Sequence, residues 1–218
     1  MNLLKALAHR ALLWGLRAPR LAHPMMPEGL NLPAHLVHQV WVAGEGGSRL
    51  FGWYIAPPEH LSVRAPAAVL MHGWGAHAGL MLPAAPWLHE AGLALLVLDA
   101  RGHGLSSDVE FQSLPRFAQD VDAGLAWLRQ RREVDPARLA LIGHSVGAGA
   151  ALLSATRQPD VRAVISLSAF AHLTEVMQSW LKEMRIPRRW PGAWILSHVP
   201  EVIGPLMLSR WGRVFGMV

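Results

Sequence analysis

The chain has no cysteine among its 218 residues. This absence excludes disulfide bonds, thiolate metal sites and a cysteine nucleophile, and it fits a reducing compartment such as the cytoplasm. Acidic residues are missing from residues 1–27, which carry four Lys or Arg, and residues 180–218 carry six Lys or Arg against two Glu. The formal net charge of +5 therefore comes from the two ends of the chain.

Two further absences narrow the function classes. No uninterrupted apolar run reaches the ~18–20 residues that span a bilayer, and no small-residue cleavage site follows the N-terminal apolar segment. No basic stripe with interleaved aromatic residues crosses the middle of the chain, so nucleic acid is not an expected partner. Hydrophobic residues make up 52% of the chain, which is enough to build a folded core.

Residues 1–30 are interpreted as a basic amphipathic helix followed by a linker. Within residues 3–16, apolar side chains recur on one helical face while the basic side chains lie away from it. Packing of this helix on its own domain is the favoured interpretation. The alternative is a peripheral membrane contact through residues 1–20, so the expected location is cytoplasmic, with membrane association as the alternative.

Short apolar segments that alternate with helical ones predict an α/β fold. Two strand-like segments separated by a turn come first, and four continuous apolar runs follow, which is typical of a mostly parallel sheet covered by helices on both faces. The predicted strands are Leu36–Val42, Leu50–Ala56, Ala67–Met71, Leu93–Leu98, Leu139–Ile142 and Val161–Leu167. A helix is predicted over residues 114–131, with Ser113 as its cap, and Asp135-Pro136 is predicted as a turn.

The strongest chemical signal is the sequence from Gly143 to Gly147, which reads Gly-His-Ser-Val-Gly. It follows a predicted buried strand and precedes a helix of small residues, the context in which a serine nucleophile stands on a sharp turn. The two glycines relieve crowding against the neighbouring strand and helix. Ser145 is therefore the candidate nucleophile, and the helix N-terminus would favour negative charge beside it.

Two glycine-containing loops follow earlier predicted strands. His72-Gly73-Trp74-Gly75 comes after the third strand and would aim a backbone N–H at an oxygen bound near Ser145, with the N–H of Val146 as the second donor. The Asp99–Ser106 loop comes after the fourth strand. Its Asp99 and His103 invite an acid–base interpretation, but a structural role that holds the strand end is favoured.

These motifs and their order along the chain resemble the α/β-hydrolase family, most closely its esterase, monoacylglycerol lipase and serine aminopeptidase-like branch. The resemblance covers about residues 36–200. It implies an eight-stranded, mostly parallel sheet and a catalytic triad of Ser, His and an acid. It further implies that Ser145 is the nucleophile and that the backbone N–H groups of Trp74 and Val146 form the oxyanion hole.

The resemblance stops short of the acid and the histidine, which the family places after its seventh and eighth strands. The sequence downstream of Ser145 offers only weak candidates, Glu175 for the acid and His172 or His198 for the base. Residues 31–170 are thus expected to form an incomplete hydrolase core, and residues 171–218 a cap followed by an atypical tail. We expect the last two strands to be missing through truncation or a frameshift near residue 205.

The predicted function is hydrolysis of carboxylic esters through Ser145, without a metal or organic cofactor. Thioesters and amides are alternative substrate classes, since the motif does not distinguish between leaving groups. The alternatives are a non-catalytic fragment that lacks its base and a ligand-binding protein on the hydrolase fold.

Overall fold

The computed structural model describes residues 30–170, together with Arg10, residues 17–21, Gln178, Ser179, Lys182 and Arg185. The chain divides into two compact units, Met1–Ala169 and Phe170–Val218. All of the strands and helices given below belong to the first unit. Most of the predicted N-terminal helix and of the predicted cap lies outside the described residues, so these two assignments stay predictions.

Six strands form one mixed sheet whose spatial order is β1-β2-β4-β3-β5-β6. The strands β1 and β2 pair antiparallel with each other, and β2 pairs antiparallel with β4. The remaining neighbours, β4 with β3, β3 with β5 and β5 with β6, are parallel. The strands are β1 Val37–Ala43, β2 Arg49–Ile55, β3 Ala65–Met71, β4 Ala94–Leu98, β5 Val134–His144 and β6 Val161–Leu167. This arrangement confirms the predicted α/β class and all six predicted strands.

Within residues 30–170, three α-helices flank the sheet: α1 Ala85–Glu90, α2 Leu114–Arg129 and α3 Val146–Ala155. Helix α2 forms as predicted because Phe117, Val121 and Leu125 recur on one face and are all buried. The hydroxyl of Ser113 accepts a hydrogen bond from the backbone N–H of Arg116 and so caps the first turn. With 16 residues, α2 is the longest helix in the described part of the chain, where no helix is both long and apolar enough to cross a membrane.

The core lies on both sides of the central strands. Every residue of β4 is buried, and so is nearly every residue of β3. Both strands are covered on two faces, and this requires apolar side chains at successive positions. Aromatic side chains of β2 extend this core, since Phe51 and Trp53 are fully buried and their rings meet edge to face at 5.3 Å. The strand β6 differs, with Ile165 45% and Leu167 46% exposed.

One local prediction needs correction. Asp135-Pro136 lies within β5 rather than in a separate turn before it. The pairing of β3 with β5 is irregular there, since Ala65 faces Val134 but Ala67 already faces Leu139. The extra residues bulge outwards, and the Asp135 carboxylate accepts a hydrogen bond from the N–H of Ala137 within the bulge. A turn-like local geometry is therefore embedded in a longer strand.

The parallel strands end in register, which brings three loops together at one edge of the sheet. Met71 pairs with both Leu98 and Gly143, and Gly143 pairs with Ser166. The segments that begin at His72, Asp99 and Ser145 therefore leave the sheet side by side. Open α/β folds build their binding sites at this carboxyl edge.

Candidate active site

Ser145 occupies a sharp turn between β5 and α3. Its backbone has φ 54° and ψ −118°, a conformation that costs a residue other than glycine about 1–3 kcal/mol. The turn is held from the side because the N–H of Ser145 donates to the carbonyl oxygen of Leu167 in β6 at 2.8 Å. Although Ser145 stands at the N-cap of α3, its side chain makes no capping hydrogen bond. The half-buried hydroxyl of Ser145 is thus not engaged in capping the helix.

The two glycines beside Ser145 are required by close backbone approaches. A Cβ on Gly143 would lie 2.5 Å from the amide nitrogen of Ala148 and closer still to the carbonyl of Gly147. A Cβ on Gly147 would lie 2.8 Å from the carbonyl carbon of Met71 and closer to its oxygen. Helix α3 therefore packs directly against the ends of β5 and β3.

The loop after β3 lies against Ser145. A Cβ built on Gly73 would be 3.1 Å from the Cβ of Ser145, so the neighbouring Trp74 follows immediately beside the serine. Among the described residues, no group accepts a hydrogen bond from the backbone N–H of Trp74 or from that of Val146. The sequence-predicted residues Gly73, Trp74, Ser145 and Val146 are thus neighbours in space.

The loop after β4 is held by its own buried carboxylate. Asp99 accepts hydrogen bonds from the N–H groups of Ala78 at 2.7 Å and Leu105 at 2.8 Å. The hydroxyl of Ser106 donates to the carbonyl oxygen of Asp99 and accepts from the N–H of Phe51. These bonds support the structural role expected for this loop.

The two buried histidines at this edge are His72 and His103. Each ring uses both nitrogens in hydrogen bonds to backbone groups of the surrounding loops. Burial is the main reason that the pKa of His72 falls to about 4, and burial likewise lowers the pKa of His103. Both rings are therefore neutral at pH 7, and neither has a free nitrogen with which to accept a proton from Ser145.

Sequence reasoning missed the anchor beneath the Asp99–Ser106 loop. Arg101 is only 7% exposed, and its Nε donates to the carboxylate of the fully buried Asp120 at 2.7 Å. The N–H of Arg101 donates to the other carboxylate oxygen of Asp120. Helix α2 thereby holds the loop through a buried ion pair. The single signal in the sequence was an aspartate on an otherwise apolar helical face.

The segment 17–21 also contacts the loops of the site. The Nε of Arg17 donates to the carbonyl oxygen of Glu110, and Arg20 donates to that of Gly104. A Cβ on Gly75 would lie 3.0 Å from the side chain of Pro19. Arg17 and Arg20 therefore bond to the loops of their own domain. The residues 1–16 that carry the predicted amphipathic face lie outside the described part, apart from Arg10.

The weak candidates for the acid and the base cannot be placed. Glu175, His172 and His198 all lie outside the described residues, and their roles stay predictions. Within the described ranges, no three His, Asp or Glu side chains are grouped so that they would hold a metal ion. The described part of the site thus consists of a serine, two backbone amides and the framework that positions them.

A mostly parallel sheet, a strained serine at the strand–helix turn and a glycine loop beside it define the α/β-hydrolase class. The model of the family described as "Hydrolase_4: Serine aminopeptidase, S33" matches residues 64–211, which is more than half of the chain. The chain belongs to this family.

Known proteins with similar sequences come from several bacteria. An uncharacterised protein of Mycobacterium tuberculosis is 32% identical over 184 residues, which are 83% of this chain and 60% of that protein. The uncharacterised protein YfhR of Escherichia coli is 33% identical over 129 residues, which are 57% of this chain and 44% of that protein. The chain thus spans less than two thirds of the length of these relatives.

Solved structures show the same fold. An esterase of Pyrococcus furiosus superposes with a TM-score of 0.67 at 21% identity, over 83% of this chain and 65% of the esterase. A hypothetical protein of Pseudomonas aeruginosa superposes with a TM-score of 0.60 at 21% identity, over 78% of this chain and 58% of that protein. At these identities the likeness establishes the architecture alone.

Proposed function

We propose that the protein is a serine hydrolase that cleaves carboxylic esters with Ser145 as its nucleophile. The observation that carries this proposal is the backbone of Ser145, whose φ of 54° lifts the hydroxyl out of the helix end. Strain of this kind persists only where the surrounding structure imposes it, and it clusters at functional sites. The glycines on either side permit that turn by letting the helix that follows pack against the strand ends.

The oxyanion hole is proposed to consist of the N–H groups of Trp74 and Val146. Gly73 brings the first of these beside Ser145, and Val146 begins helix α3, whose N-terminus adds a favourable dipole. Ser145 would attack the ester carbonyl as a base removes its proton. The two amides would hold the negative oxygen, and the alcohol would leave with a proton returned by the base. Water would then release the acid from the acyl-enzyme.

The base and its acid partner are proposed to come from outside the described residues. His172 and His198 stay candidates for the base, and Glu175 stays the candidate for the acid. In this proposal residues 171–218 comprise a cap segment and an atypical tail, and residues 1–30 are a separate N-terminal segment. The proposed location is cytoplasmic. The likeness to the Pyrococcus furiosus esterase favours an ester over an amide, while the family description keeps an aminoacyl amide as the second substrate class.

Turnover of p-nitrophenyl esters of increasing acyl length tests the proposal, with an aminoacyl p-nitroanilide in parallel. Ser145→Ala should abolish hydrolysis, because removing a serine nucleophile costs on the order of 10⁶ in kcat. Ser166→Ala is the matched control, since Ser166 is an exposed serine on the neighbouring strand and should keep wild-type turnover. Absence of turnover from protein that melts cooperatively would refute the proposal and support a non-catalytic role.

A further inference from the structure

The ring of His72 holds the peptide that joins Gly73 to Trp74. Its Nε2 lies 3.1 Å from the backbone nitrogen of Ala100, which only donates, so this ring nitrogen accepts. The proton of the neutral ring is therefore on Nδ1, which donates to the carbonyl oxygen of Gly73 at 2.7 Å. Because a peptide group is planar, a bond that fixes the carbonyl of Gly73 also fixes the direction of the N–H of Trp74.

The ring of His103 holds the next peptide, but as an acceptor. Its Nε2 accepts from the backbone N–H of Gly75 at 3.1 Å, and its Nδ1 donates to the carbonyl oxygen of Arg101 at 3.0 Å. That N–H belongs to the peptide joining Trp74 to Gly75. The peptides before and after Trp74 are thus each held by one neutral imidazole, and both rings carry their proton on Nδ1.

The two rings form part of one buried aromatic cluster. Their centroids lie 5.0 Å apart, and the ring of Phe117 meets His72 at 5.8 Å and His103 at 5.1 Å. The indole of Trp74 packs against Phe117 and against His103. His72 is 1% exposed and His103 is fully buried, so water does not reach either ring to replace these bonds.

The charged and titratable groups around the rings do not overcome this burial. Asp99 favours protonation of both rings, whereas His77 opposes it at His72 and Arg20 opposes it at His103. The two rings also oppose each other's charge, because a second proton would place two cations 5.0 Å apart. The backbone bonds to Gly73 and Arg101 favour the charged forms but are outweighed by desolvation.

We infer that His72 and His103 are positioning residues that hold the backbone N–H of Trp74 towards Ser145 by bonding the peptides on either side of it. The neutral ring of His72 donates from Nδ1 to the carbonyl oxygen of Gly73, and the neutral ring of His103 accepts at Nε2 from the N–H of Gly75. Protonation at Nε2 would set a second donor against a backbone N–H. At His103 it would break the bond that holds Gly75, and at His72 it would break the bond to Ala100 that anchors the ring. This inference rests on the proposed function, in which that N–H stabilises the oxyanion. It assigns the histidines a role distinct from proton transfer.

Nuclear magnetic resonance of the resting protein tests the geometry without any need for activity. A two-bond ¹H–¹⁵N correlation spectrum distinguishes Nδ1–H from Nε2–H rings, and His72→Gln and His103→Gln assign the two signals. We expect Nδ1–H tautomers for both rings at pH 7. Protonation of His103 should coincide with a shift of the Gly75 amide signal, and that shift should vanish in His103→Gln. An Nε2–H tautomer, or a Gly75 amide that ignores the titration, would overturn the inference.

Labelling kinetics with a fluorophosphonate and turnover of p-nitrophenyl acetate then test the effect on the site. His103→Leu removes the acceptor and should lower the labelling rate and kcat by about 10-fold to 10²-fold with little change in KM, since loss of a whole oxyanion donor costs ~10²–10³. His103→Gln offers an amide oxygen to the N–H of Gly75 and should recover most of the loss. The exposed His60, changed to Leu, is the matched control.

The outcomes separate the two claims. A wild-type chain that is folded but never labelled refutes the proposed function, while the resonance experiment still decides the geometry. Wild-type labelling together with an unchanged rate in folded His103→Leu refutes the positioning role alone. If His103→Leu does not fold, His103→Gln tests the positioning role instead. A His103→Gln kcat more than about 10-fold below wild type, at unchanged melting temperature, would contradict the expectation that an acceptor for the Gly75 N–H restores activity.

Discussion

A methyl group added at Gly147 should separate helix α3 from strand β3. The added Cβ would lie less than 2.5 Å from the carbonyl oxygens of Met71 and His72, whereas an ordinary carbon–oxygen contact is about 3.3–3.6 Å. The obstacle is backbone at the end of a central strand, so no side chain can rotate away. The helix end that carries Ser145 would therefore have to shift by roughly 1 Å.

The size of the effect follows from two opposing contributions. Overpacking costs about 1–3 kcal/mol, and two fixed carbonyls place this site at the upper end. Replacing a helical glycine by alanine returns at most ~1 kcal/mol. We expect Gly147→Ala to lose about 2 kcal/mol of unfolding free energy, or ~4–8 °C in Tm for a chain of this length. A displacement of about 1 Å at the nucleophile would also slow fluorophosphonate labelling by ~10².

Gly124→Ala in α2 is the matched control for this change. There the new methyl group would meet a methyl of Leu98 at 2.7 Å and methyl groups of Val69 at 3.2 and 3.3 Å, which are side-chain rather than backbone atoms. We expect a loss of under about 1 kcal/mol and an unchanged labelling rate. Urea unfolding followed by circular dichroism measures both variants. A Gly147→Ala protein as stable and as reactive as wild type would refute the packing argument.

Three further predictions concern charge. Asp120→Asn should cost about 3 kcal/mol in urea unfolding, because it leaves the buried guanidinium of Arg101 without its carboxylate. Asp160→Asn should lower the free energy of unfolding by less than ~1 kcal/mol, since Asp160 forms an exposed pair with Arg129. Fluorophosphonate labelling should be unchanged, and a large loss of labelling would contradict a surface role for Asp160. Burial lowers the pKa of His72 to about 4, whereas a histidine in the unfolded chain has a pKa of ~6.5. As the pH drops from about 6.5 to 4, the unfolded state binds a proton at this histidine before the folded state does, so the free energy of unfolding should fall. Burial raises the pKa of Asp120 to about 6, which opposes that loss, so Asp120→Asn should lose stability more steeply over this range.

The sheet could be predicted because its signal is local. Short runs such as Ala94–Leu98 are apolar throughout, which is typical of a strand buried on both faces in an α/β fold. The turn at Ser145 could also be predicted from the sequence, because the flanking glycines indicate close backbone contacts that leave no room for a side chain. The bulge at Asp135 was not visible, because it depends on the register between two strands distant in sequence.

The histidine contacts could not be read from the motifs alone. His72 and His103 are 31 positions apart, and their shared role depends on β3 and β4 ending at the same level of the sheet. The pair of Arg101 with Asp120 likewise needs the packing of α2 against the loop after β4. Such tertiary contacts decide which polar residues are framework and which are available to a substrate.

Peptide mapping after fluorophosphonate treatment tests the central claim most directly. The folded wild-type chain at pH 7.5 should acquire one phosphonyl group, located on Ser145, and heat-denatured protein should acquire none. Ser145→Ala should remain unlabelled while melting as a folded protein. A phosphonyl group on another serine, or no adduct on folded wild-type protein, would contradict the account of Ser145 as an activated nucleophile.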